Sequence, residues 1–464
     1  MKINNIKEIN EECGLLAVTN DENAAETLYY GLHSLQHRGQ EGCGIVMLNN
    51  DDFHTIRGEG LIIENFNENN LKTLTGSMGI GHVKYNHDQH SGVDDIQPLL
   101  FKHYLGDFAI AFNGSIVNSN EIRLILEEQG SLFRSKDDAE LIAHMIIKNK
   151  EDTLSSIINS LRKVEGGFAI LVMTKDAIYA CRDKHGLRPL SLGKLNDGYI
   201  VSSETCAFEI VGATFVRDLI PGEVLEITKS GINSSKYSNF SHYNMCAMEY
   251  AYFARPDSDL EGVNVHTFRK NSGKVLARDF PVNADIVVGV PDSSLSAAMG
   301  YAEESKLPYE TGLIKNRYIG RTFIQPTQNM REKSVKLKLS TVTSVVKGKR
   351  VVLIDDSIVR GTTCKRIVSL LKENGASEVH VRIGTPQITH PCFYGVDFTT
   401  YEEIIGATKT KEEIRDIIGA DSLEFLKLKS LYEITNRQEL CHACFTGKYP
   451  TNIYQSLKDI NKGK

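Results

Sequence analysis

Apolar residues in the first half of the chain fall into short runs bounded by polar turns. Residues 15–19, 44–48, 108–112 and 168–173 each fit the length and composition of a buried strand. Residues 22–36 and 137–148 show helical spacing instead. Strands with a few helices among them predict a layered α+β arrangement. The pattern changes after about residue 240. Residues 285–290 and 350–354 are short, β-branched-rich runs, each followed by a turn bearing Ser, Gly or Thr and then a helical segment. Residues 379–383 repeat the strand signal, and strand–loop–helix–strand predicts a parallel α/β sheet. The polar stretch 230–243 is the expected boundary, dividing the chain at 240/241. No internal repeat or low-complexity segment interrupts either half.

Length agrees with two units, since 464 residues exceed what one core organises. A formal net charge of -6 gives no overall attraction to nucleic acid. No apolar run approaches the roughly 20 residues of a membrane-spanning helix. Residues 1–12 are polar and lack the apolar stretch of a secretory signal, so a cytoplasmic location is expected. Nine cysteines in a cytosolic chain argue for chemistry or packing rather than a disulfide framework.

The most informative segment runs Val351-Val352-Leu353-Ile354-Asp355-Asp356-Ser357-Ile358-Val359-Arg360-Gly361-Thr362-Thr363. Four apolar residues predict a buried strand with two carboxylates at its C-terminal end, where open α/β sheets bind ligands. The hydroxyl-rich, Gly-containing turn then opens a helix, and N–H groups, Thr hydroxyls and the helix dipole suit a phosphate. It is neither a Walker A loop, lacking Gly-Lys-Ser/Thr, nor a dinucleotide fingerprint, lacking the glycines. Gly289-Val290-Pro291-Asp292-Ser293-Ser294 follows another predicted strand. Between these loops, residues 317–340 hold Arg317, Arg321, Arg331, Lys333, Lys336 and Lys338 against one acid, Glu332. A solvated face or an RNA patch has this charge too, but its place between two phosphate loops favours a lid over an anionic substrate.

In the first half, Cys13-Gly14 precedes an apolar strand. His37-Arg38-Gly39-Gln40-Glu41-Gly42, Gly81-His82-Val83-Lys84-Tyr85, Phe112-Asn113-Gly114-Ser115 and Asp138-Ala139-Glu140 recur at element ends. Near the C-terminus Cys441 and Cys444 have a chelating spacing, and Cys246 and Cys392 lie upstream. Four thiolates suit either tetrahedral zinc or an iron–sulfur cluster, and spacing does not choose between them.

These motifs resemble two known families. The segment from Val351 to Thr363 resembles the phosphoribosylpyrophosphate motif of type I phosphoribosyltransferases. That resemblance implies that Asp355 and Asp356 hold ribose hydroxyls and that Ser357, Arg360, Gly361, Thr362 and Thr363 hold the 5′-phosphate. It also makes Gly289 to Ser294 the pyrophosphate loop, with Ser293, Asp355 and Asp356 holding Mg²⁺. The first half resembles the N-terminal-nucleophile glutaminase domain of class II amidotransferases, a four-layer αββα fold. Asn10-Glu11-Glu12-Cys13-Gly14 is similar to a propeptide junction, which implies removal of residues 1–12. The freed α-amine, of pKa about 7.7–8.0, can then serve as base for the Cys13 thiol. Asn113 and Gly114 occupy the oxyanion-hole positions, Asp138 that of the ligand for the glutamine α-amine, and Arg38, in the loop beside the nucleophile, counts with Lys84 and Asp138 among the implied glutamine-binding residues.

Over residues 10–454 the chain resembles glutamine phosphoribosylpyrophosphate amidotransferases, in the branch with both a propeptide and a [4Fe–4S] cluster. This implies cluster ligation by Cys246, Cys392, Cys441 and Cys444, with Cys43, Cys181, Cys206 and Cys364 left as packing residues. It implies a homotetramer inhibited by purine nucleotides, with Lys315, Arg317 and Lys336 in a second nucleotide subsite. The implied reaction takes glutamine, water and phosphoribosylpyrophosphate to 5-phosphoribosylamine, glutamate and pyrophosphate. His185 to Leu190 and Ser203 to Cys206 read as structural.

One departure from the family pattern stands out. Where the family has Gly-His-x-Arg-Tyr followed by a small residue, Thr and a Gly-rich stretch, this chain has Lys84 and then Asn86-His87-Asp88. Lysine keeps the charge that holds a glutamine carboxylate but not the planar fork, which predicts weaker glutamine binding. Two other readings compete: an ammonia-fed phosphoribosyltransferase with a weakened glutaminase, and a non-catalytic regulator that binds phosphoribosylpyrophosphate. A regulator of that kind usually carries a DNA-binding domain, and no helix-turn-helix is evident.

Overall fold

The computed structural model describes residues 13–85, 93–104, 106–240, 242–316, 339–396, 398 and 400–451. The expected propeptide 1–12, His87, Asp88, the lid through Lys338 and the subsite residues Arg317 and Lys336 lie outside the described residues.

The strands of residues 14–236 form two antiparallel sheets. One has seven strands in the order Thr214–Asp218, Ser191–Leu195, Gly198–Ser202, Gly14–Thr19, Met78–Lys84, Gly42–Asn49, Asp52–Glu59. The other has six: Gly231–Lys236, Glu223–Thr228, Ala177–Arg182, Gly166–Met173, Phe108–Ile116, Leu99–Phe101. Strand alternation sorts the side chains into layers. Leu15 and Ala17 pack between the sheets with Ala111, Leu171 and Ile178, whereas Leu16 and Val18 pack outward against Leu28 and Leu32 of the helix Ala24–Ser34. Ile110, Phe112 and Ile170 of the six-stranded sheet face the helices Asp138–Lys148 and Thr153–Leu161. Helix, sheet, sheet, helix is the four-layer order expected.

The second half holds a four-stranded parallel sheet in the order Ile286–Gly289, Arg350–Asp355, Glu378–Ile383, Ser422–Phe425. The helices Val265–Asp279 and Leu295–Ser305 pack on the Val287, Val352 and Ile354 face, and Thr362–Glu373 and Lys411–Ile418 on the Val288, Val351 and Leu353 face. Both faces are therefore covered, which is why these strands read as unbroken apolar runs. Leu187, from the first half, joins the core formed by Met245, Tyr250, Tyr394 and Phe398.

The polar stretch 230–243 is not simply a linker. It contains the edge strand Gly231–Lys236, paired along its length with Glu223–Thr228. An edge strand that is mostly exposed needs no apolar pattern, so its sequence looks like a loop. Among the described residues no helix is long and apolar enough to cross a membrane.

Candidate active sites

Cys13 stands at the entry to the first strand, where Gly14 lies opposite Val83 and Leu15 opposite His82. The Tyr85 amide donates to its sulfur at 3.4 Å. Burial pushes the Cys13 thiol up; the Tyr85 amide, Lys84 and Arg38 counter this in part, and Asp137 adds to it. Cys13 is half-buried, and as a thiol it is a poor nucleophile until a base takes its proton.

His82 links this end of the first sheet to the second. Its Nε2 donates to the Phe112 carbonyl at 3.2 Å, and burial holds the ring neutral, with a pKa lowered to about 3. Asn113 and Gly114 therefore sit at the same end of the sandwich as Cys13. Asn113 is 1% exposed, and its Nδ2 has no hydrogen-bond partner among the described residues. Gly114 has φ +129°, and a Cβ there would lie 2.1 Å from the Gly167 carbonyl oxygen, so only glycine presents its N–H in this way.

The two carboxylates at the start of helix Asp138–Lys148 differ in their contacts. Asp138 accepts from the Ile116 amide at 2.7 Å, and burial pushes it up to about 7. Asp137 caps the helix through the Ala139 amide at 2.8 Å and accepts from Gln97 Nε2 at 2.9 and 3.0 Å. Gln97 in turn accepts from the Phe112 amide at 2.6 Å. Asp137 is the member of the pair whose charge reaches Cys13, and Lys84 acts on it in turn. Lys84, half-buried, donates through Nζ to the Asp95 carbonyl at 2.6 Å.

Arg38 is 1% exposed. Its Nε donates to the Cys13 carbonyl at 3.2 Å, Nη1 to Glu204 at 2.6 Å and to Glu249 at 3.0 Å, and Nη2 to Glu249 at 2.8 Å. It is thus committed to the Cys13 backbone and two carboxylates rather than to an open pocket. Burial pushes Glu204 up, but His37 and Arg38 outweigh it and hold Glu204 well below the usual carboxylate range.

In the second half, Asp355 ends the strand Arg350–Asp355 and Asp356 follows it. Ser294 donates to Asp355 at 3.2 Å, Ser357 to Asp356 at 2.7 Å, and Ser293 also donates to Asp356. The two sequence-predicted loops therefore meet at these carboxylates. Burial, then the Asp356 charge, pushes Asp355 well above its ordinary value. Arg269, buried and lowered to about 10, is the cation that acts on Asp356. Gly361, at φ +74°, turns the chain into helix Thr362–Glu373, and Thr362 and Thr363 are exposed on its first turn. Arg360 pairs with Glu403 at 2.6 Å, and Lys315, at the exposed edge, pairs with Asp292 at 3.2 Å.

Cys246, Cys392, Cys441 and Cys444 line one cavity together with Leu187, Arg188 and Tyr394. Cys246 and Cys441 pair in an isolated parallel bridge, and burial pushes all four thiols up. Among the described residues no group of three His, Cys, Asp or Glu side chains is arranged to hold a metal ion. Four cysteines around one cavity are a donor set that both tetrahedral zinc and an iron–sulfur cluster use.

The comparisons with known proteins agree with this division of sites. Residues 87–209 match a glutamine amidotransferase domain and residues 268–384 a phosphoribosyl transferase domain. The chain is 51% identical to the amidophosphoribosyltransferase of Bacillus subtilis strain 168, covering 97% of this chain and 96% of that one. The chain belongs to the amidophosphoribosyltransferase family. An amidophosphoribosyltransferase of Staphylococcus aureus strain Mu50 is 49% identical, over 97% of this chain and 93% of that one. A B. subtilis glutamine phosphoribosylpyrophosphate amidotransferase solved with ADP and GMP superposes with a TM-score of 0.91 at 50% identity, covering 96% and 98% of the two chains. A second structure, described as the allosteric regulatory enzyme of purine biosynthesis, gives 0.92 at 50% identity over 96% and 97%. As an amidophosphoribosyltransferase family member the chain is an enzyme, a glycosyltransferase that joins an amidotransferase domain to a phosphoribosyltransferase domain.

Four residues around the Cys13 end of the sandwich, Glu249 from the second half among them, carry contacts that sequence reasoning assigned to none of them. Asp137 is masked by its neighbour Asp138. Glu204 and Glu249 pair with Arg38 across 166 and 211 residues, and Gln97 reaches Phe112 across 15. Glu204 lies in a segment read as structural, and its pairing has no local signature.

Proposed function

We propose that residues 1–12 are removed and that Cys13 then hydrolyses glutamine, its freed α-amine taking the thiol proton. The thiolate attacks the amide carbon, and Asn113 Nδ2 with the Gly114 N–H receives the negative charge on the carbonyl oxygen. Ammonia leaves, and water hydrolyses the thioester to glutamate. Asp138 receives the substrate α-ammonium and Lys84 its carboxylate. The ammonia displaces pyrophosphate from phosphoribosylpyrophosphate, giving 5-phosphoribosylamine, the first committed step of purine synthesis. Asp355 and Asp356 hold the ribose hydroxyls. Ser357, Arg360, Gly361, Thr362 and Thr363 hold the 5′-phosphate.

Magnesium, held by Ser293, Asp355 and Asp356, supplies the positive charge that a pyrophosphate leaving group and a paired carboxylate site both need. A [4Fe–4S] cluster on Cys246, Cys392, Cys441 and Cys444 serves folding and stability. Purine nucleotides inhibit by occupying the phosphate loop, with Lys315, Arg317 and Lys336 at a second subsite. The enzyme works in the cytoplasm as a homotetramer.

The observation that carries the glutaminase reading is the buried Nδ2 of Asn113, unpartnered among the described residues, beside the Cys13 end of the sandwich. A buried donor left unpaired costs stability and is retained where something transient binds it. The test is transfer of label from amide-labelled glutamine into phosphoribosylamine by purified enzyme whose intact mass is also measured. Transfer by a chain beginning at Cys13 supports the reading. Transfer by a chain still beginning at Met1 rules out the α-amine as base.

A further inference from the structure

Two guanidiniums and two carboxylates, none more than 1% exposed, connect the candidate nucleophile to the cysteine-lined cavity. Arg38 holds the Cys13 carbonyl at 3.2 Å and the Glu249 carboxylate at 2.8 and 3.0 Å. Glu204 takes the remaining face of Arg38 at 2.6 Å. On its other side Glu249 Oε1 accepts from Arg188 Nη1 at 3.5 Å. Arg188 lines the cavity and also donates to the Tyr394 carbonyl. The charges of the four groups balance, which a buried set requires.

The acceptors of Arg188 are placed by the cysteines themselves. Glu249 begins the π-helical turn Glu249–Phe253, and its amide donates to the Cys246 carbonyl at 3.1 Å. Tyr394 follows Cys392, and its amide donates to the Cys392 sulfur at 3.4 Å. Closing the cysteines on one inorganic group fixes the segments carrying Glu249 and Tyr394 relative to each other. Arg188 spans those two segments, and Glu249 passes the resulting position to Arg38.

We propose that Arg188, Glu249 and Arg38 are positioning residues that couple the cysteine-lined cavity to the backbone of Cys13, so that the group bound there sets the alignment of the glutaminase nucleophile. The inference rests on the reading of Cys13 as that nucleophile. It gives the cluster a part in the glutamine half-reaction beyond stability. It also gives Arg38 a positioning part in place of direct contact with glutamine.

The test compares full-length wild type, Cys13→Ala, Glu249→Gln and Arg188→Lys. Each is assayed for glutamine-dependent and ammonia-dependent rates, iron per chain, and the pH profile of Cys13 alkylation by iodoacetamide. Loss of a hydrogen bond to a charged group predicts a roughly 10- to 100-fold fall in glutamine-dependent kcat for Glu249→Gln and for Arg188→Lys. Iron content, the KM for glutamine and the ammonia-dependent rate should stay within about twofold of wild type on the same reasoning, while the alkylation profile shifts. Equal loss of both activities, or an unchanged alkylation profile, overturns the coupling. If Glu249→Gln does not fold, Arg188→Lys, which keeps the charge but cannot span both acceptors, decides alone. Glutamine use surviving in Cys13→Ala would instead remove the underlying reading, whatever the other variants do.

Discussion

Replacing Asn113 with alanine should separate activity from stability. The Asn113 side chain is buried, and its Nδ2 has no partner among the described residues. An unpaired buried donor costs about 1–3 kcal/mol, and Asn113→Ala removes that cost. Against this stand the packing contacts of the lost amide, on the order of 1–2 kcal/mol for a small buried group. The net change in unfolding free energy should stay within about 1 kcal/mol by this balance. Catalysis should respond very differently. Removing one oxyanion donor costs about 10²–10³ in kcat, roughly 2.7–4 kcal/mol, because the bond is fully made only in the transition state. Steady-state glutaminase assays should show that fall with little change in KM, while ammonia-dependent synthesis, which bypasses the amidotransferase half, stays at wild-type level. A fall of less than about tenfold in a folded variant would refute the role of Asn113 as a transition-state donor.

Lys84 keeps the charge but not the fork of an arginine, so the wild-type KM for glutamine should lie about tenfold above that of an Arg-bearing relative, worth roughly 1.4 kcal/mol; a KM matching such relatives in steady-state assays would mean that the lysine is already compensated. Burial raises Asp138 to about 7, so the folded protein binds more protons there than the unfolded chain, and stability falls as pH rises from the ordinary carboxylate pKa toward 7. Asp138→Asn, which keeps an acceptor for the Ile116 amide, should therefore raise Tm more at pH 8.5 than at pH 5.5, and an equal change at both would contradict the shift. Because the Asp137 charge raises the Cys13 thiol pKa, Asp137→Ser should move the midpoint of iodoacetamide alkylation to lower pH, and a move to higher pH would show that the loss of Gln97 anchoring dominates.

What was legible in the sequence follows from the range of the interactions. The strand Arg350–Asp355 and its carboxylates could be read because a buried parallel strand is a continuous apolar run and its ligands sit at its end. Asp137 was overlooked because two adjacent aspartates at a helix start look alike until the helix direction separates them. The Glu204–Arg38–Glu249 contacts could not be seen at all, since they join segments 166 and 211 residues apart. The strand Gly231–Lys236 was hidden for a different reason: an exposed edge strand carries the composition of a loop. Local motifs were therefore visible in the sequence, while the long-range contacts around Cys13 had to come from the structure.

The most direct measurement is product formation from phosphoribosylpyrophosphate with glutamine or with ammonium as the nitrogen donor, in wild type and in Cys13→Ala. The wild type should use both donors, and Cys13→Ala should lose glutamine use while keeping ammonium use. Glutamine-dependent synthesis by Cys13→Ala, or failure of the wild type to make phosphoribosylamine with ammonium, would contradict the assignment of one reaction to each half of the chain.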